Sequence, residues 1–454
     1  MENLMGILKQ YSPIINAHMV DYFTKDSYEN CVPSEIKNEI DKIGYDNAVD
    51  YILNKEFNED MRNLNNFIET VTKYTLRNRI DVCLNVDQLK RNFVELGCKN
   101  VSGLHLNVFM KPKKSHEVEI LSEIAASLKT IGNISHLVDI GDGKGYLSSL
   151  LSLHYKIPVL GIDAAAINTI GAIKRVEKLG KYWHGIVGTN KSVLSKSETK
   201  YENAYNLLYK QITQYITEET DLKELVQNIF VEQISYIGIV GLHTCGNLAP
   251  ASLKIYASND DVKILCNVSC CYHLLSEKSL DTDCETNIGF PMSQFLLEKQ
   301  FYLGRNARML SAHSTDRIFD KKELPNRNIF YRAVFEVFLS QYFPNLNTKE
   351  VGRFRGSNIE FKVYARKALK RLNIDDSEFS DEDLNKCYTS LINKEKQLYT
   401  FTLLRCLLAP LIESLILLDR LIYLYENGFG NSYLVQLFDP VVSPRCYGII
   451  SYKE

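Results

Sequence analysis

"HLVDIGDGKG", residues 136–145, puts an apolar run ending in Asp139 directly ahead of glycines at 141, 143 and 145. A first parallel strand that turns into a helix needs glycine where the backbone takes positive φ or lets a ligand come close, and this spacing supplies three such positions. Outward from it, "PVLGID" (158–163), "ISYIGIVGLH" (234–243) and "VKILCNVS" (262–269) read as further β-rich runs separated by helical sequence. That alternation predicts an α/β fold, a parallel sheet with crossover helices.

The glycine spacing is G-x-G-x-G. A dinucleotide fingerprint wants its third glycine at 146, where this chain has Tyr146. Asp139 at the strand end would repel a pyrophosphate but suits an ammonium group, such as the amino-acid end of S-adenosylmethionine. Both features argue against a nucleotide-dependent oxidoreductase. Asp163 ends the second run about 20 residues after the glycines, where a carboxylate can accept both hydroxyls of a ribose.

With 454 residues, 45% of them apolar, the chain can bury one large core or two to three modest ones. Its net charge of -2 gives no global pull toward nucleic acid or acidic membranes, so such binding has to come from a local patch. Cysteines scattered from Cys31 to Cys446, and an opening stretch without signal-peptide features, predict reduced thiols and a cytoplasmic or nuclear location. The apolar stretch 402–425 approaches membrane-span length, but Arg405, Pro410, Glu413, Asp419 and Arg420 interrupt it. It is expected to be a buried helix pair or a kinked helix, with no membrane contact.

Residues 1 to about 100 carry helical periodicity, as at Met61, Leu64, Phe67, Ile68 and Val71. Polar sequence at 189–206 reads as an insertion or loop on the sheet's ligand side, and 322–425 is again mostly helical. The end, "NSYLVQLFDPVVSPRCYGIISYK", reads as two strands around a turn with Pro440 and Pro444. Residues 433–438 are expected to pair with 446–452 and to extend the sheet beside 262–269. The organisation expected is a helical N-terminal region (1–104), a cofactor-binding core (105–320), a helical insertion (321–430) and a C-terminal hairpin completing the sheet (431–454).

The ordered set "KPKKSHEVE", "VDIGDGKGYLSSLLS", "GIDAAAINTIGA", "GLHTCGNLAP", "CNVSCCYHLLSE", "GFPMSQ" and "DPVVSPRCYGI" resembles the methyltransferase-like protein 25 family, whose relatives are called ribosomal RNA adenine dimethylase domain-containing proteins. The resemblance runs from about residue 105 to the C-terminus. Its "HTCG" and "CCYH" segments are also similar to signatures of a tRNA 2'-O-methyltransferase family acting on the acceptor stem. What the resemblance implies is a seven-stranded, Rossmann-like, S-adenosylmethionine-dependent methyltransferase sheet. Asn247 stands where relatives commonly have Asp.

In an open α/β sheet, ligands sit outside the carboxyl ends of the strands. His243, Cys245 and Asn247 are therefore expected to share one rim with Cys271, His273 and the glycine loop, as the catalytic set. Either histidine could remove a proton from the acceptor, orient a hydroxyl, or simply hold structure. The cofactor is expected on Asp139, Gly141, Gly143, Gly145, Tyr146 and Asp163. Lys114 and His116 join them because "KPKKSHEVE" starts the helix that should cover the pocket. Cys245 could also attack C6 of a pyrimidine, but no recognisable second-cysteine motif accompanies it. A zinc site drawn from Cys245, Cys266, Cys270, Cys271, His273 and Cys284 lacks C-x-x-C spacing, and adjacent cysteines on a strand project in opposite directions, so no metal is expected.

Lys362, Arg366 and Lys370 form one helical stripe behind Arg353 and Arg355, and Arg305, Arg308, His313 and Arg317 add positive charge. Together they make RNA thinkable as the acceptor, although an ordinary solvated face is the commoner explanation of such a stripe on its own. A protein side chain as acceptor is the alternative enzyme reading. A non-catalytic scaffold with helical partner surfaces is the alternative from another class, against which the intact Asp139, glycines and Asp163 argue.

Overall fold

The computed structural model describes residues 1–55, 58–98, 101–106, 110–187, 208–278, 288–346, 351–352, 354, 359–377 and 379–454. The segment 189–206 and Cys284, Arg353 and Arg355 lie outside them. The chain forms two compact units, a sheet unit of Leu76–Tyr302 with Glu413–Glu454 and a helical unit of Met1–Thr75 with Leu303–Ile412. Each unit is assembled from distant parts of the chain.

The sheet unit holds eight strands: β1 (Cys83–Asn85), β2 (His136–Ile140), β3 (Val159–Asp163), β4 (Tyr209–Thr213), β5 (Ile237–Cys245), β6 (Val262–Cys270), β7 (Ser432–Gln436) and β8 (Tyr447–Tyr452). Their order across the sheet is β1-β7-β8-β6-β5-β2-β3-β4. Strands β2 to β6 run parallel, and β8 lies antiparallel between β6 and β7. The expected hairpin therefore forms, and it does extend the sheet beside β6.

The count exceeds the expected seven by β1, which pairs parallel with β7 at the edge. It is three residues long, too short for any periodicity to register. Strand β4 also left no readable run, because polar sequence leads into it and its own burial is partial.

Side chains alternate across the sheet with period two. Leu137 and Val159 enter the core on one face, while Val138, Ile140, Leu160 and Ile162 enter the core on the other. Helices cover both faces, which is why these central strands read as continuous apolar runs.

In the helical unit, Leu64, Phe67, Ile68 and Val71 are the buried stripe of the helix Arg62–Lys73, as their spacing predicts. Two of the three cations of the basic stripe on the helix Phe361–Arg371 are paired within its own unit. Arg366 reaches Asp381 (2.7 Å) and Asp376 (3.2 Å), and Lys362 lies 3.5 Å from Asp381. Acidic residues supplied by the following loop and helix thus occupy two of the cations that the sequence offered to phosphates.

The apolar stretch 402–425 belongs to one helix, Glu395–Glu426, with Pro410 inside it. It is not a helix pair. The span Asp381–Glu426 is long and apolar enough to cross a membrane by length and composition, and its most apolar window is 89% buried. Two of its charges are satisfied locally: Arg405 donates to the Ile14 and Ile15 carbonyls, and Asp419 accepts from the Met292 and Ser293 backbone N–H groups.

Candidate functional site

The turn after β2 is built as its sequence requires. Gly141, Gly143 and Gly145 take φ of 78°, 62° and 65°, the left-handed region that side chains disfavour. Gly145 caps the helix Tyr146–Leu153, and a Cβ there would run into the Tyr209 hydroxyl. Asp163, at the end of β3, fastens the loop. Its Oδ2 accepts the Gly143 N–H (3.0 Å) and its Oδ1 accepts the Ala165 N–H (2.8 Å).

Beneath the loop lies a buried acidic pair. Ser148 Oγ is 2.8 Å from Asp139 Oδ2 and 2.7 Å from Asp142 Oδ1. One hydroxyl proton cannot serve both acids. Burial, then the Asp142 charge, push the Asp139 carboxyl well above the usual carboxylate range. Burial also raises Asp142, but the Tyr209 hydroxyl donates to it and favours its ionised form. Asp139 is thus the member that holds the proton.

The charge argument that picked Asp139 from the sequence assumed an exposed carboxylate. Instead it is 1% exposed, and its Oδ1 has no hydrogen-bond partner. Because its folded pKa is raised, Asp139 contributes stability below the ordinary carboxyl range of about 3.9 and loses it as pH rises through the higher folded value. Denaturant unfolding of Asp139→Asn should therefore show a smaller loss of stability between pH 4 and pH 8 than the native chain. An identical pH slope would mean that Asp139 is ionised in the fold.

A cavity of about 290 Å3 opens at the carboxyl ends of β2, β3 and β5 and the segment after β4. Gly141, Asp163, His243, Cys245 and Asn247 line it, whereas Gly143, Gly145, Cys271 and His273, expected on the same rim, do not. Gln214, Tyr215, Thr217, Glu218 and Lys254 complete its wall and were missed, since they depend on the unread strand β4 and the helix after β5.

His243 stands at φ of 68°, where β5 shifts register between Leu242 and Thr244. Its Nε2 is 3.0 Å from both carboxylate oxygens of Glu117, which is fully buried. Lys114 Nζ (2.8 Å) and Ser443 Oγ (2.6 Å) also reach Glu117. Burial pushes the Glu117 carboxyl up, but His243 and Lys114 outweigh it and hold it well below the usual range. A carboxylate accepting Nε2–H leaves Nδ1 as the imidazole's acceptor nitrogen.

Other expected residues have different roles. Asn247 exchanges hydrogen bonds with Ser276 (2.7 and 2.9 Å), which ties down the chain after β6. His273 is exposed and does not line the cavity. His116 accepts the Asp439 backbone N–H (3.1 Å), and the Tyr146 ring lies under the Arg175 guanidinium (3.8 Å). Neither lines the cavity, nor does Lys114, whose helix Pro112–Ile131 starts where the sequence predicts.

Cys245 Sγ lies 3.0 Å from Cys270 Sγ and 3.4 Å from Cys271 Sγ. The hydrogen bond from Cys270 outweighs burial and holds the Cys245 thiol down to about 6.

S-adenosylmethionine fits these residues on two counts: the loop presents Gly141 to the cavity, and Asp163 stands beside it for the ribose. Asp139, buried and outside the cavity lining, is not placed to meet its ammonium. Known proteins give the same direction. Residues 113–278 match a family model described as a methyltransferase domain. The chain is 29% identical to probable methyltransferase-like protein 25 of Mus musculus and 28% identical to that of Homo sapiens, each match covering 100% of this chain and 96% of the relative. The chain thus contains a methyltransferase domain and is similar along its whole length to probable methyltransferase-like protein 25.

Proposed function

We propose that the chain transfers a methyl group from S-adenosylmethionine to RNA. The observation that carries the reading is the single cavity in which the glycine turn, Asp163 and His243 meet at the carboxyl edge of the sheet. Gly141 and Asp163 would hold the cofactor. When bound, S-adenosylmethionine supplies a methyl group activated by its sulfonium.

The chain's own contribution is orientation and proton removal. Glu117 fixes the His243 ring, stabilises positive charge on it, and leaves Nδ1 to take a proton from a hydroxyl or amine. Support for an RNA acceptor comes from the likeness of "HTCG" and "CCYH" to a tRNA methyltransferase family and from Tyr215 at the cavity, an aromatic ring suited to stack on a base.

Incubation with methyl-labelled S-adenosylmethionine and total cellular RNA or protein tests the acceptor. Label that ribonuclease releases and protease does not is the expected outcome, and label confined to protein would overturn the RNA reading. His243→Ala should lower turnover by about 100- to 10,000-fold with little change in donor affinity. Equal losses in both would mark the histidine as structural.

A further inference from the structure

We propose that Cys245, Cys270 and Cys271 form a three-thiolate site for Zn2+, with a fourth coordination position open to the cavity. The three sulfurs stand 3.0, 3.4 and 3.5 Å apart. Zinc at about 2.3 Å from each sulfur in tetrahedral geometry would spread them to about 3.8 Å, a relaxation of a few tenths of an ångström for most of the set.

The backbone explains how neighbouring cysteines converge. Cys245 and Cys270 are register partners at the ends of parallel β5 and β6. Cys271 has left the strand and takes φ of 47° and ψ of 46°, a left-handed conformation rarely adopted by a non-glycine residue. Two consecutive strand residues would point to opposite faces, which is why the sequence argued against a metal. The left-handed turn swings the Cys271 sulfur back beside the other two. Strain of this kind concentrates where a side chain must be aimed.

Charge gives a second, independent observation. Arg420 is 1% exposed, and none of its guanidinium nitrogens has a hydrogen-bond partner. Its charged neighbours are Tyr272, whose ring it faces, Asp419 and then the Cys270 sulfur. A buried cation without hydrogen bonds is costly, and anionic neighbours offset that cost. Zinc on three thiolates carries one net negative charge, which would sit beside a guanidinium that no hydrogen bond satisfies.

Thiolates select zinc or monovalent copper over harder cations. Three protein ligands with a vacant fourth position are the arrangement of zinc that meets a ligand, whereas structural zinc is closed by four. Cys245 lines the cavity and gives the metal that opening. Binding forms three Zn–S bonds and releases to solvent the protons of those thiols that carried one, with no redox change.

The test uses the full chain, purified from zinc-supplemented cells under reducing conditions and dialysed against metal-free buffer. Elemental analysis should find one zinc per chain, and replacing it with Co2+ should give thiolate-to-cobalt charge-transfer absorption. Cys271→Ser and Cys245→Ser, both at partly exposed positions, should lose the metal while keeping the native melting transition. A native chain that retains no zinc, copper in its place, zinc undiminished in both variants, or a Cys245–Cys270 disulfide would each overturn the proposal. Donor titration of the same samples is a separate readout, so a failure to bind S-adenosylmethionine leaves the metal result standing on its own.

Discussion

Removing everything from Asn431 onward is expected to abolish cooperative folding of the sheet unit, and donor binding with it, although no residue of the glycine turn is touched. The segment holds β7 and β8, and β8 is an interior strand with partners on both sides. Its loss would bare the β6 edge and leave β1 without a partner. Leu434, Val435, Ile449 and Ile450 are each at most 1% exposed. Burying such side chains is worth roughly 1.5 to 3 kcal/mol each, so together they match the roughly 5 to 15 kcal/mol that stabilises a whole domain. Ser443, which holds the buried Glu117, goes as well. A truncated chain that still melts cooperatively and binds S-adenosylmethionine would show the tail to be an appendage.

The second large effect is expected at Asp163. Replacing it by Ala removes the acceptor for the ribose hydroxyls, each charge-assisted hydrogen bond being worth about 1.5 to 3 kcal/mol, and so weakens the donor's affinity at least about tenfold. It also frees the Gly143 and Ala165 N–H groups, so part of the loss comes from a loosened turn. Asp163→Asn separates the two contributions, since its remaining carbonyl oxygen can still accept from the turn. Calorimetry should rank the affinities native, then Asn, then Ala. Unchanged affinity in the Ala variant would remove Asp163 from the donor site.

Much of this was legible in the sequence because the features are local. The three glycines announce a positive-φ turn, Asp163 marks a strand end, and the alternating runs give the parallel sheet. The C-terminal hairpin was readable too, since its two runs alternate around a proline-bearing turn.

What escaped depends on burial, backbone turns and pairings that residue types alone do not announce. Asp139 was read as an exposed carboxylate, but Ser148 and Asp142 fold over it. Cys271 was read as a strand residue, and nothing in "SCCYH" signals its left-handed turn. The lysine and arginine stripe on the helix Phe361–Arg371 looked free because its acidic partners come from the next loop and helix. Glu117 stood among the charges of "KPKKSHEVE", yet its pairing with His243, 126 positions later, follows only from the fold.

The most direct test of the account is a calorimetric titration of S-adenosylmethionine into the purified full-length chain. The structure predicts saturable binding at one site per chain, weakened by Asp163→Ala and unaffected by Arg366→Ala, whose guanidinium is engaged within the helical unit. Absence of binding at millimolar donor, in a chain that melts cooperatively, would contradict it.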